Sequence, residues 1–158
     1  MQRIFILCLF LLVATVSCSK NYAKDYLYTS QDSWSAIQKG VAGDKLSPNN
    51  TLIILDDDNT IHGAWNAIFN KYVKEFPGLV IKNFVDAEDC IDFIRQQDDL
   101  SKVLLLTDYE LLNKDLNGLK VLEVVAVTRK ILVTSYYEKQ AIIKRSILLN
   151  TKIFFWVK

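Results

Sequence analysis

Three consecutive carboxylates, Asp56, Asp57 and Asp58, stand directly behind the apolar run 51–55, and a further one, Asp108, stands directly behind a second apolar run, 103–107. Two short hydrophobic segments that each end in carboxylate place negative charge at the C-terminal end of strands. In an open parallel sheet that end is where ligands bind, at the crevice where strand order reverses. Carboxylates gathered there repel one another unless a divalent cation sits among them. An all-oxygen donor set suits Mg²⁺, which keeps several waters and takes one or two protein carboxylates. The residues therefore predict a Mg²⁺-assisted phosphoryl site. Two other reactive residue types lie nearby in the chain. His62, the only histidine, follows the acidic run on a predicted helix and reads as a solvated surface residue, and Cys90, set among Ala87, Ile91 and Ile94, reads as a small core residue rather than a reactive thiol.

The elements that must position these carboxylates are legible as apolar periods. Strand-length runs occur at 51–55, 79–84, 103–107, 131–134 and 153–157, and three of them are nearly unbroken. Continuous apolar strands are buried on both faces, which implies a parallel sheet covered by helices. Helical periods fill the gaps at 61–76, closed by Pro77-Gly78, and at 87–97, 118–127 and 137–149. In the first of these Ile61, Trp65, Ile68, Phe69 and Tyr72 recur at helical spacing and should form its buried stripe, so Trp65 reads as core. The alternation of strand and helix specifies an α/β fold, a small doubly wound parallel sheet of five strands, because right-handed crossovers carry helices to both faces.

Composition narrows the function. Lys and Arg number 19 against 18 Asp and Glu, a net charge of +1, so no global field draws nucleic acid to the chain. Cys8 and Cys18 fall in the apolar leader, which leaves Cys90 alone in the folded part and excludes a disulfide framework or a cysteine metal site there. Residues 1–18 read as a secretory signal or lipoprotein leader: Arg3, then an apolar stretch too short to span a bilayer, then Ser17 and Cys18, with Cys18 the lipidation candidate. Such a leader implies export or a membrane tether. Residues 19–50 read as a polar linker with one short helix around 33–39, and residues 51–158 as the folded domain.

Four segments in order carry a family resemblance: Leu55-Asp56-Asp57-Asp58; the run from Phe84 through Ile94; Leu106-Thr107-Asp108 with Asn117-Gly118-Leu119 after it; and Ile131-Leu132-Val133-Thr134-Ser135. Together they resemble the receiver domain of response regulators, of the kind attached to hybrid histidine kinases. The resemblance implies a flavodoxin-like fold in which Asp56 and Asp57, with Asp108, hold Mg²⁺ and Asp108 accepts the phosphoryl group. It further implies that Thr134 contacts that group after transfer, that Lys158 stands for the lysine at the end of the fifth strand, and that the partner is a histidine kinase or phosphotransfer protein. The stretch from Asp108 to Gly118 is longer than is usual in the family. No fifth helix follows the fifth strand, so the domain is expected to lack its last helix and to expose the apolar face of 153–157 as a partner surface. Receiver chemistry points to the cytoplasm, whereas the leader points outward.

Two other readings compete. Asp56-x-Asp58-x-Thr60 behind a strand also fits the first motif of haloacid-dehalogenase-like phosphatases, with Asp56 as nucleophile. That scheme needs a further acidic metal ligand well downstream, yet no Asp follows Asp115 and the only later Glu residues are Glu123 and Glu138. The third reading is an exported, lipoprotein-type binding domain in which the carboxylates are simply solvated.

Overall fold

The computed structural model describes residues 27–28, 50–112, 115–136 and 139–155. Six strands form one sheet: β1 (Leu27–Tyr28), β2 (Thr51–Leu55), β3 (Val80–Phe84), β4 (Val103–Asp108), β5 (Arg129–Thr134) and β6 (Lys152–Phe155). Four helices are described: α1 (Asn59–Glu75), α2 (Ala87–Arg95), α3 (Gly118–Val124) and α4 (Gln140–Leu148). Every strand pair is parallel, and the order across the sheet is β1-β6-β5-β4-β2-β3. The five expected strands and four expected helices are all present, with ends shifted by a few residues. Strand β1 was not foreseen. It falls inside the expected linker and adds a sixth strand, pairing Leu27 with Ile153 and Tyr28 with Phe154. The leader with Cys18, the expected helix around 33–39, and Lys158 lie outside the described residues.

Side chains alternate across the sheet, and the two faces are covered unequally. Leu52 and Ile54 of β2 pack with Leu104, Leu106, Ile131, Val133 and Phe154 beneath Trp65 and Phe69 of α1. Those two rings sit one helical turn apart and stack, with centroids 5.6 Å apart and planes 8° from parallel. Ile53, Leu55, Val103, Leu105 and Leu132 face the other way, against Ala87, Cys90, Ile91 and Ile94 of α2, Val121 and Leu122 of α3 and Ile142 of α4. Central strand β4 is buried along its whole length, as its unbroken apolar run requires. At the sheet edge, Val80, Lys82 and Asn83 of β3 are exposed, so charged and polar side chains mark that border.

The expected exposure of the last strand is not found where the structure describes it. Ile153 and Phe154 are both fully buried. Ile153 lies under Ile143 and Ile147 of α4, Phe154 joins the aromatic cluster of α1, and β1 takes the outer backbone edge of β6. His62 also departs from expectation: it is buried at 6% exposure, and its Nε2 atom has no hydrogen-bond partner. The helical period carries its side chain off the solvated face despite the acidic residues just before it. Cys90 is a core residue, as expected, and burial pushes its thiol up to about 12.

Candidate functional site

The site forms where the order of strands reverses. β2 leads through α1 to β3 on one side, and β4 then pairs with β2 on its other side, so the C-terminal ends of β2 and β4 flank a crevice. Into it come Asp56, one residue beyond β2, and Asp108, the last residue of β4. Asp56 remains tied to the ladder, its N–H donating to the Phe84 carbonyl at 3.1 Å, while its Oδ1 accepts the N–H of Asp58 at 3.0 Å. That tight turn sends Asp57 back beside Asp56. One carboxylate oxygen from each of Asp56, Asp57 and Asp108 lies within 4.8 Å of the others.

The third aspartate of the run has a different task. Asp58 Oδ1 accepts the N–H of Thr60 at 2.8 Å and the Thr60 hydroxyl at 2.6 Å, and the Asp58 carbonyl accepts the N–H groups of Ile61 and His62. Asp58 therefore caps α1, an Asp placed where a helix start needs an acceptor. The three acidic residues divide into a pair at the crevice and one cap, a division that the run of identical letters hides.

Asp108 is fixed from below by glycine. A Cβ on Gly118 would lie 1.8 Å from the Asp108 carbonyl oxygen and 2.8 Å from the Thr107 hydroxyl oxygen, so only hydrogen fits between α3 and the end of β4. Gly118 N–H donates to the Tyr109 carbonyl, and Asn117 caps α3 by accepting the Lys120 N–H. Tyr109 N–H bonds both to Asp108 Oδ1 at 2.9 Å and to the Val133 carbonyl at 2.8 Å, which orients the carboxylate relative to β5.

Thr134 ends β5, fully buried, and its Oγ1 accepts the N–H of Tyr136 at 3.1 Å. Register places Asp108 opposite Val133, so Thr134 sits one step further along the neighbouring strand. The crevice is a small cleft that Asp56 and Asp108 share with Trp65, Glu110 and Ser135. Glu110 and Ser135 escaped the sequence reading. Glu110 stands only two positions past Asp108, a spacing that could have drawn notice, but nothing in the sequence tells which way a loop carboxylate turns.

Asp56 and Asp108 are each less than a tenth exposed, and Asp57 is half-buried. Two charges at such separations repel by about 1 kcal/mol in water and several times that in a partly dry site. The donor set of three carboxylates fits a hard divalent cation.

No known family pattern matches the chain, and no curated protein matches it. Solved structures do. An uncharacterized protein from Neptuniibacter caesariensis is similar at 19% identity over 71% of this chain and 81% of that one, with a TM-score of 0.53. The signal receiver domain of an HD domain-containing protein from Pseudomonas fluorescens Pf-5 is similar at 12% identity over 70% of this chain and 76% of that one, with a TM-score of 0.51. At such identities the likeness is one of fold. The parallel sheet, its order and these neighbours together make this a receiver-like α/β domain of flavodoxin-like topology.

Proposed function

We propose that the domain is the receiver of a phosphorelay, with Asp108 as the residue that takes the phosphoryl group. The observation that carries this reading is the meeting of Asp56, Asp57 and Asp108 within 4.8 Å, at the reversal of strand order in a receiver-like fold. An Asp108 oxygen attacks phosphorus, an acyl–phosphate bond forms, and the bond from phosphorus to the donor breaks with its electron pair leaving on the donor. A phosphohistidine on a histidine kinase or phosphotransfer protein is the donor class. Transfer of this kind depends on placement and on neutralising charge. Mg²⁺, held by Asp56, Asp57 and Asp108, would supply that neutralisation. Thr134 would donate its hydroxyl hydrogen to a phosphoryl oxygen, since its oxygen already accepts from Tyr136. Lys158 is proposed as a second cationic contact to the phosphoryl group. The leader and Cys18 would tether the domain at a membrane.

Incubating the chain with acetyl phosphate and Mg²⁺ tests the reading by intact mass. An adduct of about 80 Da is expected, absent without Mg²⁺ and absent in Asp108→Asn. No adduct, or one that survives that substitution, overturns it. The phosphatase reading, with Asp56 as nucleophile and Asp58 as acid and base, is disfavoured because Asp58 is engaged with Thr60 at the start of α1. Turnover of a phosphomonoester lost in Asp56→Asn would restore it.

A further inference from the structure

Glu110 lines the same cleft as Asp56 and Asp108, yet it is not among the carboxylates that converge there. Its bonding partners give the reason. The Ser135 hydroxyl donates to Glu110 Oε2 at 3.0 Å, and the Tyr136 phenol donates to Oε1 at 2.6 Å. Both donors belong to the turn after β5, so the pair latches the loop after β4 to its neighbour. Tyr136 is held in turn: its N–H bonds Thr134, its ring meets Tyr109 edge to face at 5.7 Å and 87°, and the Lys139 ammonium sits 3.4 Å over the ring centroid. The hydrogen bond to Glu110 and the charge of Glu110 push the Tyr136 phenol above its ordinary range, so it is a donor at neutral pH.

Hydrogen bonds to an ionised acceptor are about twice as strong as neutral ones, so withdrawing Glu110 from both donors carries a substantial cost. What that cost prevents follows from cation chemistry. Mg²⁺ is held by few carboxylates and retains water, while Ca²⁺ takes six to eight oxygens in flexible geometry and binds more tightly as ligand charge rises. A fourth carboxylate entering the cleft would move the site from the first type toward the second.

We propose that Ser135 and Tyr136 determine cation choice by holding the Glu110 carboxylate out of the Asp56–Asp57–Asp108 cluster, which keeps the site suited to Mg²⁺ over Ca²⁺. This rests on the cation site of the phosphoryl-accepting reading above. Neither residue touches the cation; both act by positioning Glu110.

Calorimetric titration of the full chain in mild detergent, with MgCl₂ and separately with CaCl₂, tests it. The wild type should bind Mg²⁺, and Asp57→Asn should abolish that binding. Tyr136→Phe should tighten Ca²⁺ binding about tenfold while leaving Mg²⁺ within about twofold, and Ser135→Ala should act in the same direction more weakly. Adding Glu110→Gln to either variant should remove the gain, because the neutral amide brings no charge to the cluster. An unchanged ratio of Ca²⁺ to Mg²⁺ affinity in both variants, or a gain that survives Glu110→Gln, overturns the latch and leaves the cation site standing. A wild-type chain with no Asp57-dependent Mg²⁺ binding overturns the site and the latch with it. If Tyr136→Phe fails to fold, Ser135→Ala decides alone.

Discussion

The two ends of the sheet carry opposite kinds of polar group. At the N-terminal end the Arg129 guanidinium reaches the Asn50 side chain at 2.5 Å and the Ser101 carbonyl at 3.3 Å, and the Lys130 ammonium reaches the Leu122 carbonyl at 2.5 Å. Burial pushes both cations below their ordinary ranges. Arg129 thereby ties the start of β5 to the segments leading into β2 and β4, and Lys130 ties it to α3. At the C-terminal end, Asp56, Asp57, Asp108 and Glu110 gather around one cleft, an arrangement whose mutual repulsion costs stability until a cation or a donor compensates it. The basic groups at one end bond across the fold, whereas the carboxylates at the other are brought together against their own repulsion. The comparison predicts that the ends can be separated by mutation.

The largest effect should come from Gly118→Ala, which attacks the carboxylate end through packing. Its new methyl would collide with the Asp108 carbonyl. We expect a loss of more than about 3 kcal/mol in urea denaturation, and no phosphoryl adduct in whatever fraction still folds. Wild-type stability in this variant would mean that α3 does not brace Asp108, and the contrast between the ends would weaken. Arg129→Met should cost about 1 to 3 kcal/mol by removing a donor from the buried Asn50 side chain. Its rate of adduct formation should stay within about twofold of wild type, since the change lies far from the cleft. A large change in rate would show the two ends to be coupled.

The smallest effect belongs to Cys90, which lies between them. Its thiol is raised from 9.0 to about 12 in the folded chain, so the stability that its neutral form lends is complete below pH 9.0 and is lost as pH rises from there through about 12. Native protein at pH 8 should leave Cys90 unmodified by iodoacetamide, with the label appearing at that peptide only after denaturation. Modification in the native state would mean that the α2 side opens readily.

Much of this was legible in the letters. Runs such as Leu104-Leu105-Leu106 announce a strand covered on both faces, and they are buried as such. That Asp56, Asp57 and Asp108 converge was readable because they follow such runs and strand direction then fixes where they meet. The part played by Asp58 was not: its bonds to Thr60 make it the cap of α1, a role hidden within a run of identical letters. The remainder depended on tertiary context. Leu27–Tyr28 is too short to show a period, so no pattern could reveal a strand there. The burial of His62, and of Ile153 and Phe154, follows from what packs over them, and hydrophobicity along one segment does not encode its cover. Glu110 is set apart from an ordinary loop acid by Ser135 and Tyr136, residues distant in sequence.

Strand β1 has a practical consequence. Because it lies beyond β6, that strand is an interior strand in space, and residues more than a hundred positions apart, such as Leu27 and Ile153, must find each other before that border is finished. Such a long loop is slow to close, and a two-residue ladder frays readily, so amide exchange should begin there. A shortened protein starting at Thr51 would present the bare backbone of β6 as a template for another chain, and the dimers or aggregates it formed would report an uncovered border rather than a signalling state.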